Sequence, residues 1–600
     1  MAFLIKPKNI QEAYFSISLF AILSVFSCKK DSQPESVGFN TLMKEQFTKD
    51  ISLAIAFLDS IPGNKDQSKE YFLKSRRYFK KIEPILSSLD LENYGFLNQP
   101  NIVKVEEDDL MDKKFKKPSG YQVLEEEIFA DQIDFNTVEK HAHLVSNRLN
   151  LIKTNISFNH LRTYHFLWLF RKSIIRIALT GITGFDSPVL ENSIEESKIV
   201  YQSLKTYLSL FKDTFKNEQL YGQWNSEIEA TIAGLKGDFN TFDRYTFIKK
   251  HTHKQLQLWN QTVEDWNVSF PFELAFKNDA TSLFSSNTFN IAYFSDRNSG
   301  ETTPEKIALG EKLFYDPKLS SDKKISCATC HQPDKAFTDG QKIRAGITRN
   351  SPTLLYAALQ KGFFYDKRAG SLEGQIISVV ENKNEFHTDL QTLEDEIKKD
   401  STYISEFAKS YPTRTITNAE IRNAIASYIR SLVLFNSKFD RNINDLEASI
   451  TQSEINGFNL FNGKAKCATC HFAPVFNGTV PPDYRESEIE LIGVPEKNDT
   501  INTKISKDLG RFYVYKTPQR KHFFKTSTVR NISKTTPYMH NGVYNALEEV
   551  MNFYNHGGGT GIGIDQEYQT LPPDSLHLTD QEMKDIISFM NSLEDTIYEL

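Results

Sequence analysis

Four of the five cysteines in this 600-residue chain fall in one pentapeptide used twice, Cys327-Ala328-Thr329-Cys330-His331 and Cys467-Ala468-Thr469-Cys470-His471. Two thiols at this spacing reach the two vinyl groups of one porphyrin, and the adjacent imidazole reaches its iron as proximal ligand. The pattern therefore implies two covalently bound c-type haems. A four-cysteine zinc site would place its second pair about 15–20 residues after the first, much closer than these pairs stand. A thioredoxin-like motif wants a βαβ setting and has no use for a histidine after the second cysteine.

Helices must hold each copy, and the flanking sequence supplies them twice. Gly310-x-x-Leu313-Phe314 precedes the first pentapeptide and Gly457-x-x-Leu460-Phe461 the second, and Pro304 after Thr303 marks a helix start. Thr417-x-x-Glu420 stands before Ile421, Ile425, Tyr428, Ile429 and Leu432, as Thr579-x-x-Glu582 does before Met583, Ile586, Ile587, Met590 and Leu593. Both read as capping boxes opening amphipathic helices. Two cytochrome c-like domains are expected, 304–445 and 446–600, each wrapped round its own porphyrin.

Six hundred residues suggest three or four domains, since single cores stop growing well before that size. Hydrophobic content of 39% with 25% charged residues is ordinary for a soluble chain, and a net charge of −6 gives no electrostatic case for nucleic acid. Residues 1–28 carry Lys6 and Lys8, an apolar run from about Ala13 to Phe26 and then Ser27-Cys28 before a polar stretch. That run is too short to span as a mature helix and resembles a bacterial lipoprotein signal with lipid on Cys28. An uncleaved anchor and an ordinary secretory signal are the alternatives. All three place the protein in the periplasm or cell envelope. Residues 29–40 read as a tether, 41–270 as a helical domain of unknown role and 271–303, rich in Asn and Ser, as a linker. Within the helical region, the pairs His141/His143 and His251/His253 read as surface or capping residues ahead of a metal site. The expected fold class is all-α: an N-terminal helical domain followed by two cytochrome c-like haem domains.

Several spaced motifs in residues 304–600 carry a family resemblance. They are Leu313-Phe314-Tyr315-Asp316-Pro317-x-Leu319-Ser320, Arg349-Asn350-Ser351-Pro352-Thr353, Asp366-x-Arg368-Ala369-x-x-Leu372-Glu373-x-Gln375, Thr528-Val529-Arg530-Asn531-Ile532 and Thr536-Pro537-Tyr538-Met539-His540-Asn541-Gly542. Together they resemble the bacterial di-haem cytochrome c peroxidase and MauG family. The resemblance implies Glu385 as the distal carboxylate beside the first, peroxidatic haem, Gln375 as its polar partner, and Tyr365 where the family places a tryptophan relay between haems. It implies Asn350, Thr535 and Pro537 as a calcium site, with a dry turn as the alternative. The position matching the second haem's usual methionine falls on Tyr554, as in MauG, with Met551 one helical turn earlier as the competing iron ligand. No histidine occurs between His331 and His387, and the loop that often carries one reads Gln341-Lys342-Ile343-Arg344. The first iron is thus expected to be open or water-bound, without reductive activation. A much shorter segment, Pro118 to Glu125, resembles the G-x-H-x-x-E element of imelysin-like helical domains, with Gln122 in place of the histidine.

The leading function is peroxide reduction at the first haem, with electrons delivered through the second from a small c-type cytochrome or similar donor. A MauG-like enzyme oxidising a protein or organic substrate is the second reading, and an electron carrier without peroxide chemistry the third. The expected partners are hydrogen peroxide, the donor protein, a membrane reached through the lipid on Cys28, and a second copy of the chain in a homodimer.

Overall fold

The computed structural model describes residues 38–106, 114–296, 300–412, 414–499, 503–566 and 569–597. The expected signal segment with Cys28, and residues 29–37 of the tether, lie outside these. Among the described residues no helix is long and apolar enough to cross a membrane.

Helix builds nearly everything. The first, Phe39–Asp59, begins inside the expected tether because Phe39, Met43, Phe47, Ile51 and Leu58 form one apolar stripe, and all are buried. It packs on Ser68–Leu89 and Phe135–Asn155. The last of these is capped by Asp134, whose side chain accepts from the Asn136 amide. Another helix runs Thr163–Leu179, and Gly184 takes the left-handed φ of +86° that closes the turn after it. Among the described residues strand is confined to two short antiparallel pairs, Lys104–Glu106 with Lys114–Lys116 and Ile489–Glu490 with Phe524–Lys525.

The sequence repeat becomes two matching helix crossings. Pro304–Tyr315 crosses Asn418–Ser431, and Gln452–Phe461 crosses Asp580–Ser592. At each crossing a glycine removes the side chain that would separate the backbones. A Cβ on Gly310 would lie 1.9 Å from the Ala424 carbonyl oxygen, and one on Gly457 would lie 1.9 Å from that of Asp585. The Thr579 capping box forms as expected, with its hydroxyl accepting from the Glu582 amide at 3.2 Å and Glu582 Oε2 accepting from the Thr579 amide at 2.8 Å. The Thr417 box does not. There the Asn418 amide donates to Glu394 Oε2 at 2.8 Å, and the Thr417 hydroxyl turns to Glu420. A carboxylate from a separate helix has replaced the local cap.

Residues 271–303 are not a loose connection. Leu283, Phe284 and Phe289 are buried, and Phe284 packs on Phe439 with ring centroids 5.3 Å apart. Asn and Ser set the composition of this segment, yet its few apolar side chains fix its path, because they have a core to enter. The N-terminal half also rests directly on the second pentapeptide's surroundings. The Tyr245 amide donates to Asn459 Oδ1 at 3.0 Å, Lys466 pairs with Glu191 at 3.5 Å, and Phe185 meets Phe472 edge-on at 5.4 Å.

Candidate functional site

Each pentapeptide folds as a 3₁₀ turn, Cys327–Thr329 and Cys467–Thr469, closed by the histidine amide donating to the first cysteine's carbonyl at 3.0 and 2.8 Å. The turn brings both thiols and the imidazole to one side. His331 Nδ1 lies 2.9 Å from the Phe337 carbonyl, and His471 Nδ1 lies 3.0 Å from that of Ser527. A carbonyl can only accept, so Nδ1 carries the proton and Nε2 keeps its lone pair for a metal. Burial lowers the pKa of both imidazoles, which favours that neutral form.

The thiols are not built for redox exchange. Burial pushes Cys327 and Cys467 up to about 12 and raises Cys330 and Cys470 as well. Reactive cysteines are shifted the other way. None of the four is in a disulfide. Neither H-x-H pair forms a metal cluster. His141 and His251 pair with Glu127 at 2.6 Å and Glu227 at 2.8 Å, His143 is exposed, and buried His253 accepts from the Leu283 amide at 3.3 Å. The imelysin-like element is structural: Gln122 donates to the Asn98 carbonyl, and Glu125 accepts from the amides of Val189 and Leu190.

The first pentapeptide opens onto a cavity of about 880 Å³, within the range of cofactor pockets, roughly 300–1,000 Å³. Phe314, Leu319, Ile376, Val380, Ile425 and Ile429 give it apolar walls, with Cys327, Cys330 and His331 on the lining. An apolar macrocycle that needs two thiols and one imidazole nitrogen fits this donor set. Polar groups then enter from other segments. Gln375, Glu385, Tyr365 and Asn350 all line the same cavity, so folding gathers each residue expected near the first haem. Burial raises the Glu385 pKa, while the Asn382 amide donating to Oε1 at 2.6 Å and the charge of Arg368 hold it back. A half-buried carboxyl of raised pKa is suited to taking up and returning a proton.

Tyr365 faces the other half of the molecule. Its hydroxyl donates to Asn350 Oδ1 at 2.5 Å, its carbonyl accepts from the Lys525 amide at 2.6 Å, and burial pushes its phenol pKa up. Asn350 in turn donates from Nδ2 to the Pro537 carbonyl at 2.8 Å, and the Thr535 hydroxyl donates to the Ile532 carbonyl at 3.3 Å. In this arrangement the Asn350–Pro537 hydrogen bond makes the dry turn that stood as the alternative to calcium.

Different segments surround the second pentapeptide. Ala468 is fully buried, whereas Ala328 in the first copy is half-buried. On the helix Leu547–Asn555, Met551 points into the apolar core, while Tyr554 lies close enough to Cys470, Cys467 and Glu490 for their charges to add to the burial that raises its phenol pKa. Glu490 went unnoticed in the sequence; burial and its neighbour Glu488 push it up to about 7 beside Cys470. Arg344 was visible only as part of a loop lacking histidine, and its Nη1 lies 3.1 Å from Cys330 Sγ. No local signal marks either residue, because both meet the pentapeptides through tertiary contacts.

The sequence profile of the di-haem cytochrome c peroxidase family matches residues 304–448. Cytochrome-c peroxidase IdrP1 of Pseudomonas sp. (strain SCT) is 33% identical over 310 residues, covering 48% of this chain and 80% of that protein. Methylamine utilization protein MauG of Methylophilus methylotrophus is 31% identical over 307 residues, covering 49% of this chain and 84% of its own. Among solved structures, a MauG-like protein associated with microbial copper homeostasis aligns with a TM-score of 0.44 at 26% identity, over 50% of this chain and 92% of that one.

Proposed function

The chain belongs to the di-haem cytochrome c peroxidase family, and on that premise we propose that it is an exported two-haem enzyme reducing hydrogen peroxide to water with electrons from a small c-type cytochrome. Two cytochrome c-like domains, 304–445 and 446–600, would carry the cofactors. Cys327, Cys330 and His331 would hold the first haem, and Cys467, Cys470 and His471 the second. Bound in the first cavity, the iron would supply the two electrons that cleave the O–O bond.

The protein's own part is proton handling and positioning. Glu385, its Oε1 held by the Asn382 side-chain amide, would take a proton from one peroxide oxygen and return it to the other. That shuttle moves a proton already on the peroxide, so two further protons from solvent, together with the two electrons, complete the two waters. Gln375 on the same cavity wall can orient the substrate. Electrons would pass the Tyr365–Asn350 contact, which joins the first cavity to the turn at Pro537. Most of the weight falls on one observation, the convergence of Glu385 with Cys327, Cys330 and His331 on one cavity. Peroxide turnover by the matured protein, assayed with reduced cytochrome c, tests it. Glu385→Gln should abolish turnover, and an unchanged rate would leave only an electron carrier.

A MauG-like oxidation of a protein or organic substrate is the second reading, favoured by the closeness of Tyr554 to Cys470. A phenolate is a hard anionic ligand that stabilises higher oxidation states. Negligible peroxide turnover together with a long-lived oxidised state after peroxide would select it. Export through a lipoprotein signal at Cys28 and a homodimer remain part of the proposal on sequence grounds alone.

A further inference from the structure

Arginines that line the first cavity are paired, with one exception. Arg349 holds Asp366 at 2.7 Å and Asp508 at 2.6 Å, and Arg368 holds Asp366 at 3.0 Å. Arg344 donates only to the Thr329 carbonyl at 3.4 Å and to Cys330 Sγ at 3.1 Å, and among the described residues no carboxylate pairs with it. Sulfur is a weak acceptor. A guanidinium cannot shed its charge at any physiological pH, and a half-buried charge calls for a counter-charge.

The loop that carries it is seated on both sides. A Cβ on Gly542 would stand 2.9 Å from the Lys342 carbonyl oxygen, and one on Gly346, at φ +89°, would stand 3.2 Å from Asn384 Cβ. Close backbone approach at 342 and 346 leaves the side chain at 344 aimed at the cavity lining that also holds Glu385 and Cys330. Such a position is preorganised for whatever anion arrives there.

We propose that Arg344 is the anion-binding charge of the first cavity, completed by an oxyanion or halide that arrives with or after the cofactor. This rests on the two-haem reading. The shared chemistry is a compact anion, and it has two sources: a carboxylate on the rim of the porphyrin, or a small anion at the iron such as the hydroperoxide left when Glu385 takes a proton from peroxide. In the first case Arg344 is a positioning residue; in the second it touches the reacting atoms.

The test uses the matured ferric protein and compares wild type with Arg344→Leu and Arg344→Lys, reading fluoride affinity and the midpoint potential of each haem. An anion at the iron predicts that Arg344→Leu weakens fluoride binding roughly tenfold or more, with part of the loss recovered by lysine. A rim carboxylate predicts unchanged fluoride binding and a lower midpoint potential for the first haem alone, again partly recovered by lysine. If neither quantity moves, or both haems move together, the assignment is overturned. Intact mass settles the underlying reading separately, since fewer than two attached porphyrins would remove the reading itself, whereas two porphyrins with unmoved fluoride binding and potentials would remove only the role of Arg344.

Discussion

The two Cys-Ala-Thr-Cys-His turns are identical in sequence and nearly so in backbone, yet different segments meet them: the first opens onto a cavity of about 880 Å³, and the second stands against the N-terminal half. The first is faced by Glu385, Gln375 and Arg344. The second is faced by Tyr554 and Glu490, and the N-terminal half closes over it through the Phe185–Phe472 and Glu191–Lys466 contacts. An attachment motif therefore says that a haem binds and leaves open what that haem does. Reactivity is set by the segments brought across from it.

The comparison breaks most severely if a cysteine pair is removed. Cys467→Ala with Cys470→Ala should cost one porphyrin by intact mass and most of the cooperative thermal unfolding, because the N-terminal half rests on that unit. The equivalent change at Cys327 and Cys330 should lose one porphyrin but leave the second unit and the N-terminal half folded. Equal losses on both sides would show that the packing asymmetry has no energetic weight.

Next in size, Glu385→Gln should lower peroxide turnover by about 10²–10⁴-fold with both haems still attached, while Glu490→Gln should leave turnover within a few-fold. Reversed effects would exchange the roles of the two pockets. Glycine substitution probes the likeness between the two units. Gly310→Ala and Gly457→Ala should each destabilise by about 3 kcal/mol or more, since each new Cβ would fall 1.9 Å from a backbone oxygen. Chemical denaturation that shows one crossing tolerating alanine would end the equivalence of the repeats.

Tyr554→Phe should alter the absorption spectrum of the second haem only, and Met551→Leu should leave it unchanged at a stability cost below about 1.5 kcal/mol. The smallest effect concerns pH. The Asn382 hydrogen bond holds the Glu385 pKa down, so Asn382→Ala should raise it. Glu385 acts as a base, and the acid limb of the pH–rate profile should then move to higher pH, lowering turnover on the acid side and leaving the plateau unchanged. A limb that stays in place would place the titrating group elsewhere.

Much of this was readable along the chain, and the failures have a common cause. The glycine–apolar repeat and the Thr579 cap were legible because each is decided within a few residues. At Thr417 the same cap signature gave way to Glu394, a partner no local pattern announces. The Asn/Ser-rich stretch 271–303 hid its packing because Phe284 and Phe289 are few, and burial depends on which core stands nearby.

By itself the sequence determined where two porphyrins attach, because thiol and imidazole spacing within one turn is fixed by covalent geometry over five residues. It also determined the helical frame, through apolar periodicity and the two crossing glycines. Only tertiary structure decided which segments face each turn, Glu385 and Arg344 at the first and Tyr554 and Glu490 near the second, and that among the described residues no carboxylate pairs with Arg344. Those outcomes depend on segments far apart in sequence meeting in space, and burial, charge pairing and pKa are properties of that meeting.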